Sequence, residues 1–201
     1  MNTNNLYHQL YTINAIRFRE FILKSGVRSP IDINLQQIIG YPQILRAVAN
    51  KIWQQVADFD IKLICGVAYT ALPIATCIAL EHNIPMVMCR KENKDHGIHK
   101  RVAGVFTPGQ HCLIIEDIIT TASSVLETVH TLQQEGLIVH HVAAFLNRQQ
   151  GGKHVLRNKG IQMHAVITLQ DFLLELQQCC SSQDLPFIRK LTEEIQVEKM
   201  V

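Results

Sequence analysis

Two periods of apolar residues alternate along the middle of the chain and predict strands and helices in turn. Short apolar runs predict strands over residues 63–67, 85–89, 112–117, 140–146 and 164–169. Helical spacing predicts helices over residues 42–59, 72–82 and 125–134, with a short connection around 153–158. Strands that alternate with helices in this way are typical of right-handed βαβ units. The pattern therefore predicts an α/β fold in which helices flank a central, mostly parallel sheet.

The two ends of the chain carry shorter patterns than the middle. The amino-terminal pattern predicts a helix over residues 4–16 and a hairpin of two strands over 18–24 and 31–35. The carboxyl-terminal pattern predicts two closing helices over 171–179 and 186–197. We expect the amino-terminal elements to form a small hood beside the sheet.

Length and composition limit the class of protein. A chain of 201 residues with 47% hydrophobic content predicts one domain over residues 1–201, with residues 1–40 as the hood. The formal net charge of +2 is too small to indicate nucleic acid or a membrane surface as the main partner. The six cysteines show no CxxC spacing, and we find neither a signal peptide nor a membrane span. These features favour a cytoplasmic protein with reduced thiols.

A polar, basic segment over residues 90–104 separates two of the predicted strands. It contains five arginine or lysine residues and two acidic residues. Long polar connections between sheet strands are uncommon unless they act as lids or are disordered. The segment is therefore interpreted either as a mobile catalytic loop or as a solvated surface loop.

A second candidate for chemistry follows the strand predicted over 112–117. Glu116 and Asp117 end that strand, and the hydroxyl-rich turn 120–124 opens the next helix. Backbone N–H groups at a helix start can bind a phosphate. The carboxylates would repel a phosphate and suit ribose hydroxyls instead. The alternative is a helix capped by serine or threonine that binds no ligand.

Three of these polar segments come directly after strands of the predicted sheet. They are the residues 69–73, the basic segment 90–104 and the residues 116–124. Because the carboxyl ends of parallel strands lie on one rim of a sheet, we expect the three segments to meet there. A mobile set of lysines at that rim could close over a polyanion and neutralise a departing pyrophosphate.

Four segments resemble, in order, those of the type I phosphoribosyltransferases and, within them, the orotate phosphoribosyltransferases. They are Phe-Ile-Leu-Lys-Ser-Gly at 21–26, Tyr-Thr-Ala-Leu-Pro at 69–73, Arg-Lys-Glu-Asn-Lys-Asp-His-Gly at 90–97 and Asn-Arg-Gln-Gln-Gly-Gly-Lys at 147–153. The acid pair with its hydroxyl turn is shared by many phosphoribosyltransferases, whereas the Lys-x-x-Lys-Asp-His-Gly segment is far more specific. The resemblance is closest to the eukaryotic-type enzyme, here without a fused decarboxylase domain.

The resemblance implies a type I phosphoribosyltransferase fold and transfer of the phosphoribosyl group of phosphoribosyl pyrophosphate to orotate. The products would be orotidine 5′-monophosphate and pyrophosphate, in pyrimidine biosynthesis. The resemblance also implies Mg²⁺ as cofactor and a homodimer in which the basic loop reaches the neighbouring subunit. Two alternatives stay open, a transferase for another base and a regulator that senses phosphoribosyl pyrophosphate without transferring it.

The same resemblance assigns roles to individual residues. The catalytic residues would be Lys94 and His96. The 5-phosphate would be held by Thr120, Thr121, Ala122, Ser123 and Ser124, and the ribose hydroxyls by Glu116 and Asp117. The pyrophosphate would be contacted by Tyr69, Thr70, Arg90 and Lys91, together with the two catalytic residues. The pyrimidine would be bound by Lys24 and Arg148, with the backbone around Asp32 and Ile33 lining its pocket.

Four positions differ from the pattern of the family, one of which is Ala68 in place of a common proline. Ala122 replaces a common glycine, Asn147 replaces a common aspartate and Asp32 replaces a common aromatic residue. If position 122 requires a positive φ, alanine would cost on the order of 1 kcal/mol relative to glycine.

Overall fold

The computed structural model describes residues 3–22, 28–90 and 101–198. The chain forms two compact units, one made of Met1–Ile44 with Thr168–Val201 and the other of Leu45–Ile167. Within the described ranges, no helix combines the length and the apolar character needed to cross a membrane.

Seven α-helices, eight strands and one 3₁₀ helix make up the described part of the chain. In chain order they are α1 (Thr3–Thr12), β1 (Ile16–Ile22), β2 (Arg28–Ile33), the 3₁₀ helix (Leu35–Gly40), α2 (Pro42–Trp53), β3 (Leu63–Gly66), α3 (Ala71–His82), β4 (Met86–Cys89), β5 (Val102–Ala103), β6 (Cys112–Ile119), α4 (Ser123–Gln134), β7 (His141–Asn147), α5 (Gly152–Asn158), β8 (Gln162–Thr168), α6 (Leu169–Gln177) and α7 (Leu185–Glu198).

The larger unit contains a six-stranded sheet in the order β5-β4-β3-β6-β7-β8. Strands β4, β3, β6 and β7 are parallel, and the two-residue strand β5 joins the edge antiparallel to β4. The central strand β3 is buried at every residue, and so are the first five residues of β6. Their unbroken apolar runs suit a sheet that is covered on both faces. The predicted α/β fold with a mostly parallel sheet is confirmed.

The smaller unit combines both ends of the chain. Strands β1 and β2 form an antiparallel pair in which Ile16 lies opposite Ile33, so the predicted hairpin is confirmed. Helix α1 packs on α6, where Tyr7 meets Phe172 edge to face at 5.5 Å between ring centroids. The carboxyl-terminal helices therefore complete the core beside the amino-terminal hairpin.

Several local predictions were wrong in extent or type. The helix predicted over 42–59 ends at Trp53, and the helix predicted over 4–16 ends at Thr12. The segment predicted as a connection around 153–158 is helix α5, which follows Gly151 in the left-handed conformation. Leu156 is the one large apolar side chain that this helix buries. The sequence therefore shows too few apolar positions here to reveal a helical period. Strand β6 runs to Ile119, two residues beyond its predicted end at Asp117, because it continues to pair with β7.

Histidines cluster at the edge of the sheet where β6, β7 and β8 begin. The ring nitrogens His141 Nδ1 and His164 Nε2 lie 3.1 Å apart, and Phe59 stacks on His141 with ring centroids 4.1 Å apart. His111 and His140 face each other nearby at 5.4 Å between centroids. The cluster borders a cavity of about 70 Å³. Sequence spacing alone had not indicated that these imidazoles meet.

Acid should destabilise the protein through this cluster. Burial lowers the pKa of His141 and His164, and the neighbouring imidazoles lower that of His141 further. The unfolded chain therefore binds more protons than the folded chain, so stability falls as the pH drops below the ordinary histidine pKa of about 6.5. We expect His164→Gln to reduce this slope, measured as the urea midpoint between pH 7.5 and 5.

The matched control is His130→Gln, which changes an exposed histidine on α4 outside the cluster. It should retain the wild-type slope. An equal loss of slope in both variants would contradict the role given to the pair.

Candidate active site

The two acids predicted to bind ribose lie on β6 beside the first turn of α3. Glu116 is 7% exposed, and its Oε1 accepts a hydrogen bond of 3.0 Å from the backbone N–H of Asp117. The hydroxyl of Thr70 bonds the Asp117 carboxylate from the start of α3. Burial raises the pKa of Asp117, and hydrogen bonds of its carboxylate with the Glu116 side chain, with backbone N–H groups and with Thr70 oppose the rise. The structure therefore brings Thr70 together with the two acids, which the sequence placed on a different segment.

The register of the sheet explains why these residues meet. Gly66 at the end of β3 pairs with Ile115 on β6, and the next residue, Val67, donates its N–H to the Ile115 carbonyl at 3.0 Å. A side chain on Gly66 would approach the Ala71 carbonyl oxygen at 2.8 Å. Glycine at this position thus lets the turn into α3 fold back closely against β3.

The predicted phosphate loop passes from β6 into α4 through an unusual residue. Ala122 has φ +67° and ψ +16°, which is the left-handed conformation, and it occupies the N-cap position of α4. Its methyl side chain has no group to cap the first turn, whose N–H groups lack partners within the helix. Thr121 Oγ1 and Ser123 Oγ lie 3.0 Å apart beside this turn. Hydroxyls and unpaired helix N–H groups are the donors that a phosphate requires.

A neighbouring glycine packs directly on this loop. The N–H of Gly152 donates to the Thr120 carbonyl at 2.9 Å. A Cβ at position 152 would lie 2.5 Å from the same carbonyl oxygen and 2.8 Å from Ile119 Cγ2. The sequence offered Gly152 only as part of a family motif, and its supporting position was missed. Its signal was the Gly-Gly pair just before a helix.

Arg148 is held at the end of β7 by the same part of the sheet. It is half-buried, and its N–H donates to the Ile119 carbonyl at 2.9 Å. The preceding Asn147 accepts the N–H of Gln149 on its side-chain oxygen at 2.9 Å. An aspartate would offer the same acceptor, so asparagine retains this turn.

The other predicted pyrimidine residues lie elsewhere in the chain. Asp32 and Ile33 belong to the smaller unit, and Asp32 is opposite Arg17 in the β1–β2 register. Opposite charges in this arrangement attract each other across a sheet. Lys24 lies outside the described residues.

A cavity of about 90 Å³ opens at the carboxyl ends of β3 and β4. It is lined by Val67, Ala68, Cys89, Arg90, Arg101, Ser124, Glu127, Thr128 and Thr131. Arg90 and Ser124 were predicted site residues, whereas Arg101 was missed although it contributed to the basic charge of its segment. The Arg90 N–H donates to the Arg101 carbonyl at 2.9 Å, which joins the two ends of the basic segment.

The remaining predicted pyrophosphate contacts divide into two groups. Tyr69 is 69% exposed at the carboxyl end of β3, next to the buried Thr70. Lys91, Lys94 and His96 lie outside the described residues.

Replacing Ala122 with glycine should maintain or lower the KM for the phosphate-bearing ligand. The left-handed backbone costs alanine on the order of 1 kcal/mol more than glycine, and the structure contains that backbone. The KM for phosphoribosyl pyrophosphate, the donor that the family resemblance implies, tests this expectation when it is measured by initial rates.

Asn83→Gly is the matched control, because Asn83 also has a positive φ, of +51°, but ends α3 away from the loop. It should leave KM unchanged. A clear loss of activity in Ala122→Gly alone would contradict the idea that alanine is a compromise at this position.

Comparison with known proteins identifies the family. Residues 34–161 match the phosphoribosyl transferase domain. The orotate phosphoribosyltransferase of Chlamydia caviae is 42% identical over 188 residues, which cover 92% of this chain and 91% of that protein. The chain belongs to the orotate phosphoribosyltransferases.

The chain is also similar to part of two larger proteins. The uridine 5′-monophosphate synthase of Bos taurus is 41% identical over 189 residues, and the chain spans 92% of its own length but 39% of that relative. The solved structure of Leishmania donovani UMP synthase superposes with a TM-score of 0.86 at 29% identity, covering 96% of this chain and 43% of that one.

Proposed function

We propose that this orotate phosphoribosyltransferase transfers the phosphoribosyl group of phosphoribosyl pyrophosphate to orotate, in the synthesis of pyrimidine nucleotides. The proposal rests on the hydroxyl-rich loop, in which Ala122 adopts the left-handed conformation, together with the nearby carboxylates of Glu116 and Asp117. A loop rich in N–H and hydroxyl donors suits a phosphate, and adjacent carboxylates suit the hydroxyls of the sugar that carries it.

The two ends of the donor would occupy different parts of the rim. Thr120, Thr121, Ser123 and Ser124 would bind the 5-phosphate around Ala122, as the donors at the start of α4 permit. The pyrophosphate would lie toward the cavity at the ends of β3 and β4, where the backbone carries Tyr69, Thr70 and Arg90. Arg101 adds a cation beside this cavity.

The reaction breaks the bond between the ribose anomeric carbon and pyrophosphate and forms a bond to a pyrimidine nitrogen. Negative charge grows on the departing pyrophosphate while positive charge develops on the ribose ring. Cations from the basic segment, Lys94 and His96 among them, would stabilise the leaving group. Closure of that segment would exclude water, which would otherwise hydrolyse the donor. Lys24 and Arg148 would orient the anionic pyrimidine.

The site also suits the divalent cation that the family uses with phosphoribosyl pyrophosphate. The carboxylates of Glu116 and Asp117 are the oxygen donors that Mg²⁺ prefers. We expect the ion to be held mainly through oxygens of the substrate, whose ribose hydroxyls these two acids would bind. When bound, Mg²⁺ would neutralise part of the charge on the pyrophosphate.

An ultraviolet assay of orotate consumption with Mg²⁺ and phosphoribosyl pyrophosphate tests the proposed reaction. Turnover with orotate is the expected result. Turnover with uracil or a purine, but not with orotate, would show that the acceptor is another base, although the enzyme would still be a phosphoribosyltransferase. Binding of phosphoribosyl pyrophosphate without turnover of any base would instead support the sensing regulator.

Asp117→Asn should raise KM for phosphoribosyl pyrophosphate by roughly 10- to 100-fold, because a hydrogen bond to a charged group contributes about 1.5–3 kcal/mol. Asparagine keeps the shape of the side chain and one oxygen for the Thr70 hydroxyl. Initial rates at varied donor concentration give the KM.

Asp58→Asn is the control, since Asp58 is an exposed acid that precedes the amino end of β3, at the opposite end of that strand from the proposed site. It should leave KM within a factor of about two. Equal KM values for Asp117→Asn and the wild type would remove Asp117 from the ribose site.

A further inference from the structure

Two thiols that the proposed reaction does not use face each other between β3 and β4. Cys65 Sγ and Cys89 Sγ lie 4.0 Å apart. Cys65 pairs with Val87 in the parallel register, so Cys89 lies two residues farther along the neighbouring strand. Because side chains two residues apart share a face, the register places both thiols on the same side of the sheet.

The environments of the two thiols differ. Cys65 is fully buried, whereas Cys89 is partly exposed and lines the 90 Å³ cavity beside Arg90 and Arg101. The hydrogen bond between the thiols lowers the pKa of Cys89, with a further contribution from the Arg101 cation. The same bond and burial raise the pKa of Cys65. Cys89 is therefore the more accessible and the more readily ionised thiol of the pair, and Cys65 is the buried partner.

We propose that Cys65 and Cys89 form an oxidisable dithiol, in which Cys89 reduces a hydroperoxide that enters through the cavity and Cys65 then closes an intramolecular disulfide. The location at the strand end gives the oxidant access to one sulfur and shields the other. The sulfurs have to approach from 4.0 Å to about 2.05 Å. Because Cys89 lies diagonally across the two strands from Cys65, side-chain rotation has to be accompanied by movement of the end of β4 toward β3.

The chemistry proceeds in two balanced steps. The Cys89 thiolate attacks one oxygen of the hydroperoxide, the O–O bond breaks, and Cys89 becomes a sulfenic acid while hydroxide or alkoxide leaves. The Cys65 sulfur then attacks the Cys89 sulfur, the S–O bond breaks, and water leaves with the Cys65 proton. The dithiol loses two electrons and two protons, and the hydroperoxide is reduced.

The cross-link would lie at the base of the proposed pyrophosphate cavity. Cys89 directly precedes Arg90 and pairs with Val102 on β5, next to Arg101. Joining Cys89 to Cys65 would shift the strand end that carries both arginines. Any effect on donor affinity rests on the proposed function, whereas formation of the disulfide does not.

The test treats the reduced protein with hydrogen peroxide and maps its peptides by mass spectrometry without reduction. We expect a Cys65–Cys89 peptide that dithiothreitol reverses, and a fall from six to four free thiols in the denatured chain. Cys89→Ser should abolish this peptide. Cys112→Ala, which removes another buried thiol from the neighbouring strand β6, should retain it.

A second variant separates the two steps. In Cys65→Ala the sulfenic acid has no resolving thiol, so dimedone should label Cys89 after peroxide treatment. Dimedone labelling at the adjacent Cys179 and Cys180 instead would overturn the proposal. Absence of the Cys65–Cys89 peptide from the oxidised wild-type protein would also overturn it. None of these readouts depends on transferase activity.

Discussion

Gly152→Ala is expected to lower kcat/KM for phosphoribosyl pyrophosphate by about 100-fold or more, because displacing a binding loop by 1 Å can cost that much. The new Cβ would lie 2.5 Å from the Thr120 carbonyl oxygen and 3.2 Å from the Ala122 nitrogen. Both atoms belong to the backbone of the proposed phosphate loop, so a side-chain rotation cannot relieve the clash. The loop and the start of α5 must therefore move apart.

Overpacking should also destabilise the fold by about 1–3 kcal/mol. Urea unfolding measures the loss of stability separately from the loss of donor binding. If the variant is folded but has a raised KM, the substitution has impaired the phosphate loop. Gly40→Ala is the matched control, because a Cβ there meets nothing within 4 Å. If both alanine variants kept wild-type KM values, Gly152 would not support the phosphate site.

Lys94→Ala should lower kcat by about 10²–10³-fold, the usual loss when one group that stabilises developing charge is removed. In the proposed reaction the lysine neutralises pyrophosphate as it departs, so its contribution is greater in the transition state than in the ground state. KM should therefore change much less than kcat. Steady-state rates at saturating orotate measure both constants.

Lys62→Ala removes a cation that pairs with Asp60 before β3, and it should leave kcat unchanged. Mixing Lys94→Ala with Asp117→Asn subunits tests the proposed sharing of the loop in a homodimer. If the loop reaches the neighbouring site, mixed dimers contain one site with neither defect and regain part of the activity. An unchanged kcat in Lys94→Ala would remove the lysine from the reaction.

Most of the sheet could be predicted from the chain because buried parallel strands need continuous apolar runs. The runs that became β3 and β6 are of this kind, and the helical periods of α3 and α4 follow them. Helix α5 was missed because it is seven residues long and buries little of its own surface. The two-residue strand β5 is too short to carry a period at all.

The candidate site could likewise be predicted only in part from the sequence. The polar residues at the strand ends were visible as breaks in the apolar pattern, and their order matched a family. The distance from Gly152 to the Thr120 carbonyl was not visible, nor was the approach of Cys65 to Cys89. Each depends on which strands become neighbours in the sheet.

The sequence by itself determined the α/β class, the hydroxyl turn and the family, since period, residue type and order along the chain are local properties. Only the tertiary structure decided that Ala122 adopts a left-handed backbone and that Thr70 bonds Asp117. It also decided that His141 meets His164. These relations follow from strand order and register, through which residues far apart in the chain pack within a few ångströms.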